Sequence, residues 1–359
     1  MSRAMVIAGG GTGGHIFPGL AVAEELAGFG VEVHWLGARH GLEEDLVSKR
    51  GIGLTLVRLE GVRGRGRAAA VRAAMTMPGA VATAVRTLLE IRPVAVLGVG
   101  GYASSAGLLA AGILGIPWVL QEQNAVPGWT NRSMAPWADL ICCGFADAVR
   151  AFPSLHAEWT GNPVRHEFFT VPEVEPGDPR RLLILGGSQG SLFINRLIPR
   201  ALRILADRGM VPEVTHQAGS RWGDVVRTVY QDVGVEAKVT AFIPEPWNAL
   251  AEADLVVARS GALTIAELAA VGRGAVLIPF AAAAGNHQEL NARALERAGG
   301  ARVLLESEAT PELLAATLEE LLSDADTLRR MGAGARSVGR AEAARCIARR
   351  LLYVGRCLP

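Results

Sequence analysis

Twice in this chain a short apolar run breaks into a glycine-rich turn and then into a helix-like stretch. The first instance is Val6–Ala8 followed by Gly9–Gly14, and the second is Leu183–Leu185 followed by Gly186-Gly-Ser-Gln-Gly190. A third such turn, Gly98–Ser104, follows the run Val94–Leu97. Apolar runs at Val31–Leu36, Trp118–Leu120 and Leu140–Cys142 continue the alternation, with helices expected over Gly19–Ala27, Ala80–Glu90 and Ser104–Leu114. After the second turn it restarts, with strands expected at Leu182–Leu185, Glu213–His216, Lys238–Ala241, Leu255–Ala258 and Ala275–Ile278. Helices fit Leu192–Asp207, Arg221–Val233, Leu263–Ala270 and His287–Ala298. Strands that are apolar throughout and separated by helices form parallel sheets covered on both faces. The fold class is therefore α/β, with two Rossmann-like doubly wound domains whose glycine turns lie at the carboxyl ends of the strands.

A chain of 359 residues is long enough for two such domains. The stretch Val171–Pro179, "VPEVEPGDP", is rich in proline and acid and reads as a linker. The N-terminal domain is placed at 1–162 and the C-terminal domain at 163–334. The last helical stretch, Ala335–Leu352, has no strand after it, so residues from about 335 to 359 can dock back on the first domain. Half of the residues are hydrophobic and 20% are charged, as in a folded globular protein. A formal net charge of +1 says nothing of acidic partners until the charges are located, and no nucleic-acid partner is expected. Of the four cysteines, Cys142 and Cys143 are neighbours while Cys346 and Cys357 stand apart. None has metal-ligand spacing, so reduced, packing thiols are expected. The first residues lead straight into a strand, so no signal peptide is expected. No apolar run approaches the roughly eighteen residues of a spanning helix.

The opening turn matches the Gly-x-Gly-x-x-Gly spacing of a dinucleotide site at Gly9, Gly11 and Gly14. Such a site needs an acid at the end of the second strand to hold a ribose. Here that strand ends in Leu36-Gly37-Ala38-Arg39, with Glu32 at the wrong end. An NADP-dependent oxidoreductase is thus disfavoured, while glycine amides at a helix start remain suited to anionic or polar groups. His15 closes the turn, where a neutral imidazole can take a proton from a hydroxyl. In the second half, Arg259-Ser-Gly-Ala-Leu-Thr-Ile-Ala-Glu267 follows a strand and opens a helix. Its start suits a phosphate, and Glu267, a turn further on, suits sugar hydroxyls of the same ligand. Gln288 offers both a donor and an acceptor.

Several motifs occur together: Gly10-Gly-Thr-Gly-Gly-His15, Gly100-Gly-Tyr-Ala-Ser104, Glu122-Gln-Asn124, Gly161-Asn-Pro-Val-Arg165, Gly186–Gly190, Arg259–Thr264 through Glu267, and His287-Gln288 with Asn291. In this order and over most of the chain they resemble the MurG family of UDP-N-acetylglucosamine transferases, which are glycosyltransferases of the GT-B fold. Two departures are Gln121, where the family often has histidine, and Asn286, where aspartate is common. The resemblance implies that the C-terminal domain holds UDP-N-acetylglucosamine. Ser188 with its loop and Arg165 would contact the phosphates, and the Ile243 backbone the uracil. Ala262, Leu263, Thr264, Ile265, Ala266 and Glu267 would hold diphosphate and ribose, and Gln288 would read the sugar. Thr12, Gly13, Gly14 and Asn124 would face the transferred sugar and the acceptor.

His15 would be the general base on the 4-hydroxyl of the N-acetylmuramyl unit of lipid I, an undecaprenyl-linked acceptor, giving lipid II for peptidoglycan by inversion. No cofactor or catalytic metal is expected, since glycine-loop amides, helix starts and Arg165 can carry the charge of departing UDP. The lone Asp324-Ala-Asp326 reads as a solvated helix end. A lipid acceptor implies a peripheral position on the cytoplasmic face of the bacterial cell membrane. Val62-Arg-Gly-Arg-Gly-Arg67, Arg72 and Met75–Val81 suit an anionic surface. A UDP-N-acetylglucosamine 2-epimerase, or a GT-B transferase with another acceptor, is the alternative.

Overall fold

The structure, a computed structural model, describes residues 3–39, 41–59, 66–153, 155–172, 180–187 and 189–357, with the backbone alone over 66–74 and at 284. The chain forms two compact units, Met1–Arg165 with Arg340–Pro359, and His166–Gly339. The chain passes between units at 165–166, three residues beyond the boundary expected from sequence, and again at 339–340. Most of the expected linker, 173–179, lies outside the described residues.

Unit 1 holds seven strands: β1 (Arg3–Ala8), β2 (Val31–Ala38), β3 (Gly53–Val57), β4 (Ala95–Gly98), β5 (Trp118–Glu122), β6 (Leu140–Cys143) and β7 (Ala157–Trp159). Their order across the sheet is β3-β2-β1-β4-β5-β6-β7. Unit 2 holds β8 (Arg181–Leu185), β9 (Glu213–Gln217), β10 (Lys238–Thr240), β11 (Leu255–Ala258), β12 (Ala275–Leu277) and β13 (Ala301–Val303), ordered β10-β9-β8-β11-β12-β13. Every pairing in both sheets is parallel. The strand order reverses between β1 and β4 and again between β8 and β11. In doubly wound sheets ligands bind outside the carboxyl ends of the strands at such points. The glycine turns after β1, β4 and β8, and the Arg259–Gly261 turn after β11, all lie there.

Three strands that the apolar runs did not predict, β3, β7 and β13, are sheet edges. An edge strand is not buried on every side and needs no continuous apolar run. The first helix, Gly13–Gly28, starts six residues earlier than the expected Gly19, so that His15 lies inside its first turn. Its seat on the sheet is set by Trp35, fully buried in β2. A Cβ at Gly19 would come within 2.5 Å of that indole, so only glycine allows the helix so close. The Trp35 Nε1–H donates to Gly9 O at 2.9 Å, tying the same side chain to the opening turn.

The expected C-terminal helix is two helices, Ala325–Ser337 and Ala343–Val354. The break falls at Gly339, where a Cβ would lie 2.9 Å from Ala269 O. Ala343–Val354 packs on Gly13–Gly28, and Ala344, Ile347, Ala348, Leu351 and Leu352 join the unit 1 core. Residues Arg340–Pro359 thus belong to unit 1, while 335–339 belong to unit 2. All four cysteines are free, and burial pushes the Cys143 thiol up to about 12.

Candidate functional site

In unit 1 the turns after β1 and β4 interlock through their backbones. Gly10 N–H donates to Gly100 O at 3.4 Å, and a Cβ at Gly101 (φ +81°) would lie 2.5 Å from Gly10 O. A side chain at Gly101 would both strain the backbone and force the turns apart. Within the opening turn the amides divide into two sets. Gly9 donates to Leu36 O at 3.0 Å, Gly10 to Gly100 O, and Gly11 to Glu43 Oε1 at 2.9 Å. The amides of Thr12, Gly13 and Gly14 have no partner among the described residues, and the Thr12 hydroxyl does not cap the helix. The amides of the turn left unengaged are thus those of the helix start alone. His15 stands in that first turn with its ring against β4's loop: a Cβ at Gly100 would lie 2.9 Å from imidazole Cε1 and Nδ1.

The motif after β5 works mainly as a brace. Glu122 is buried and accepts from Asn124 N at 2.8 Å, Gly128 N at 3.0 Å and Asn131 Nδ2 at 2.9 Å. Burial pushes its pKa up, and these donors oppose the shift. Gln123 Nε2 donates to Val99 O at 2.7 Å and also to Gln121 Oε1. Asn162 closes the network, accepting from Gln121 Nε2 at 3.0 Å and donating to Gln123 O at 2.8 Å. Gln121, where the family often has histidine, is therefore a buried hydrogen-bonding residue, and of Glu122, Gln123 and Asn124 only Asn124 is half-exposed. Arg165, expected beside the donor phosphates in the second domain, belongs to unit 1. Its guanidinium lies 5.1 Å from the ring centroid of Phe17, on the helix of His15.

In unit 2 the turn after β8 is held by Gly186 N–H to Gln217 O at 3.2 Å and Gly190 N–H to Gly187 O at 2.9 Å. Ser191 caps the following helix, Leu192–Asp207, through its hydroxyl. Ser188 lies outside the described residues. After β11, Gly261 stands at the N-cap of the helix Ala262–Val271, whose first amides, Ala262, Leu263 and Thr264, have no partner among the described residues. Glu267, half-buried, follows Thr264 by three residues, one turn along the same helix. Ile265 and Ala266 fill the turn between, with Ile265 in the core.

Sequence reasoning missed what braces this turn. Ser260 Oγ donates to Gln288 O at 2.8 Å, and Asn291 Nδ2 donates to Ser260 O at 3.2 Å. Arg259 turns inward: Nη1 donates to Ile278 O at 2.9 Å, Nη2 pairs with Glu306, and the rings of Phe193 and Phe280 flank it. Gln288 Oε1 accepts from Phe280 N at 2.9 Å, which fixes the orientation of its amide and directs the NH2 group away from that backbone. Ile243 is half-buried in the loop after β10.

Asp324 accepts from Thr327 N at 2.9 Å as the cap of Ala325–Ser337, and Asp326 pairs with Arg329. That sequence is a helix end. Arg63 and Arg65 lie outside the described residues, as do the side chains of Arg67 and Arg72. Met75, on the helix Gly66–Ile91, is 77% exposed. Among the described residues no helix is long and apolar enough to cross a membrane.

Residues 5–142 match the family model of the glycosyltransferase family 28 N-terminal domain, and residues 181–348 that of its C-terminal domain. A protein of Nitrosococcus oceani, named UDP-N-acetylglucosamine–N-acetylmuramyl-(pentapeptide) pyrophosphoryl-undecaprenol N-acetylglucosamine transferase, is 43% identical over 359 residues, 99% of each chain. The crystal structure of Acinetobacter baumannii MurG is similar with a TM-score of 0.80 at 31% identity, over 98% of this chain and 99% of that one. The crystal structure of a UDP-N-acetylglucosamine 2-epimerase reaches 0.68 at 16% identity, over 98% and 96%, a likeness of fold alone.

Proposed function

The chain belongs to glycosyltransferase family 28, and from that premise we propose that it moves N-acetylglucosamine from UDP-N-acetylglucosamine to the 4-hydroxyl of the N-acetylmuramyl unit of undecaprenyl-linked lipid I, making lipid II. The observation that carries this reading is the helix start after β11. Three uncommitted amides there face the switch point of a doubly wound sheet, one turn ahead of a carboxylate. Diphosphate at Ala262, Leu263 and Thr264 places ribose hydroxyls within reach of Glu267. Gln288 donates to the sugar, and the Ile243 backbone receives the uracil.

In unit 1, Thr12, Gly13, Gly14 and Asn124 engage the acceptor, and His15 accepts the proton of its 4-hydroxyl. The freed oxygen attacks the anomeric carbon opposite UDP, the bond to the β-phosphate oxygen breaks, and the linkage inverts to β. Negative charge gathers on that oxygen, where helix-start amides stabilise it. Acceptor-dependent release of UDP tests the reading, with a lipid I analogue present or absent. An epimerised sugar formed without acceptor would instead favour the 2-epimerase chemistry.

No step here calls for a metal, because the amides already answer the leaving group's charge. Turnover is expected to persist in EDTA; activity lost to EDTA and restored by magnesium counts against this assignment. The acceptor's lipid brings the protein to the cytoplasmic face of the membrane as a peripheral protein. Met75 and the arginines of 63–67 suit an anionic surface, where each basic residue adds about 1 kcal/mol. Flotation with anionic vesicles is expected to fall when Arg63, Arg65 and Arg67 are all changed to Glu. Equal flotation of variant and wild type removes this patch.

A further inference from the structure

Glu43 has no part in the chemistry described above, yet it is fully buried, and three glycines clear the space it fills. A Cβ at Gly10 would lie 1.6 Å from Glu43 Oε1, one at Gly41 1.8 Å from Oε2, and one at Gly37 2.9 Å from Cγ. Oε1 accepts from Gly11 N at 2.9 Å and from Ala38 N at 3.0 Å, while Oε2 has no partner among the described residues. A buried carboxylate costs free energy that an apolar side chain would not, so core packing alone does not account for it. What Glu43 does is fasten the end of β2 to the residue that immediately precedes Thr12.

We propose that Glu43 is a positioning residue of the transfer, holding the Thr12–His15 helix start in place through the Gly11 amide. By taking that amide it also closes the first half of the turn to anions. The acceptor is left with Thr12, Gly13 and Gly14, beside the imidazole. Without the carboxylate, Gly11 (φ +95°) keeps its turn conformation only through its neighbours, and the helix start can tilt away from the acceptor hydroxyl. Small misplacements of reacting groups are costly, on the order of 10²-fold for about 1 Å. The proposal rests on the acceptor site assigned above to unit 1.

The test is acceptor-dependent UDP release alongside calorimetric binding of UDP-N-acetylglucosamine, in folded protein. Glu43→Ala is expected to lower kcat by about ten- to hundred-fold with donor binding unchanged, because the donor site lies in unit 2. Gly41→Ala is expected to do the same, since its methyl displaces the carboxylate without altering the turn; it serves also if Glu43→Ala does not fold. Glu43→Gln keeps an acceptor at Oε1 and is expected to restore most of kcat. With His15 already changed to Ala, Glu43→Ala is expected to add little, as residues acting as a unit do not add. Folded Glu43→Ala or Gly41→Ala with wild-type kcat overturns the proposal, as does a loss that multiplies fully with His15→Ala. A fully active His15→Ala removes the base assignment alone. In that case a kcat loss in Glu43→Ala at unchanged donor binding still supports positioning of the Thr12–Gly14 amides, and wild-type kcat still overturns it.

Discussion

Changing His15 to alanine is expected to lower acceptor-dependent turnover by about 10²- to 10⁴-fold, the usual contribution of a positioned general base. Donor binding should be unchanged, because the groups proposed for the donor, the amides of Ala262–Thr264 and the carboxylate of Glu267, belong to unit 2 and His15 to unit 1. Stability should change little, since the ring rests on Gly100 in a half-exposed helix turn rather than in the core. The informative measurement is kcat against the dissociation constant of UDP-N-acetylglucosamine. A base lost from the transition state lowers kcat and leaves binding alone, whereas a lost donor contact raises the dissociation constant. A second readout is the pH–rate profile, whose acid limb should flatten when the group whose protonation stops turnover is gone. Full turnover in a folded variant refutes the assignment.

Acid is expected to unfold unit 2 through His216. This ring is fully buried in β9, with Nδ1 2.9 Å from Tyr230 Oη and Nε2 3.0 Å from Asn195 Oδ1. Asn195 Nδ2 donates to Ala218 O at 3.0 Å, which turns its oxygen toward the imidazole. Nε2 therefore donates to Asn195, and in the neutral ring Nδ1 accepts the tyrosine proton. Burial pushes its pKa down from 6.5 to about 3. The native state resists a proton that the unfolded chain takes up below pH 6.5, so stability is complete above that pH and is lost as pH falls toward 3. The slope is about 1.4 kcal/mol per pH unit, on the order of 5 kcal/mol over the window. Urea unfolding between pH 7 and pH 4 should be shallower in pH by one proton for His216→Gln. Identical slopes for variant and wild type exclude His216 as the group.

The sheets and their glycine turns were legible because each rests on a local pattern: an apolar run of four or five residues, then residues that tolerate positive φ. The edge strands β3, β7 and β13 were not, since a strand such as Ala157–Trp159 lacks the apolar run that burial on both faces produces. Gly13, Gly14 and Thr264 lie at or just inside helix starts, as a glycine turn followed by a helix implies, and Glu267 lies one turn further on. What could not be read were partnerships across long sequence separations. Glu43 matters because Gly10, Gly37 and Gly41 converge on it, and no spacing rule links those four positions. The guanidinium of Arg259, at the head of the motif, is likewise held by Glu306 and two carbonyls far along the chain. Gln121 serves the brace because its amide can both give to Asn162 and accept from Gln123.

The double crossing of the chain at 165–166 and 339–340 bears on how the protein comes into being. Unit 2 is one uninterrupted segment and can close on its own as it leaves the ribosome. Unit 1 is unfinished until Ala343–Val354 has been synthesised, because Ile347, Leu351 and Leu352 belong to its core. The first half of the message therefore encodes the part that matures last, reversing the usual N-terminal-first order of domain folding. During that interval the helix Gly13–Gly28 waits with an uncovered apolar face, so early termination would leave a nascent unit 1 exposed beside a folded unit 2.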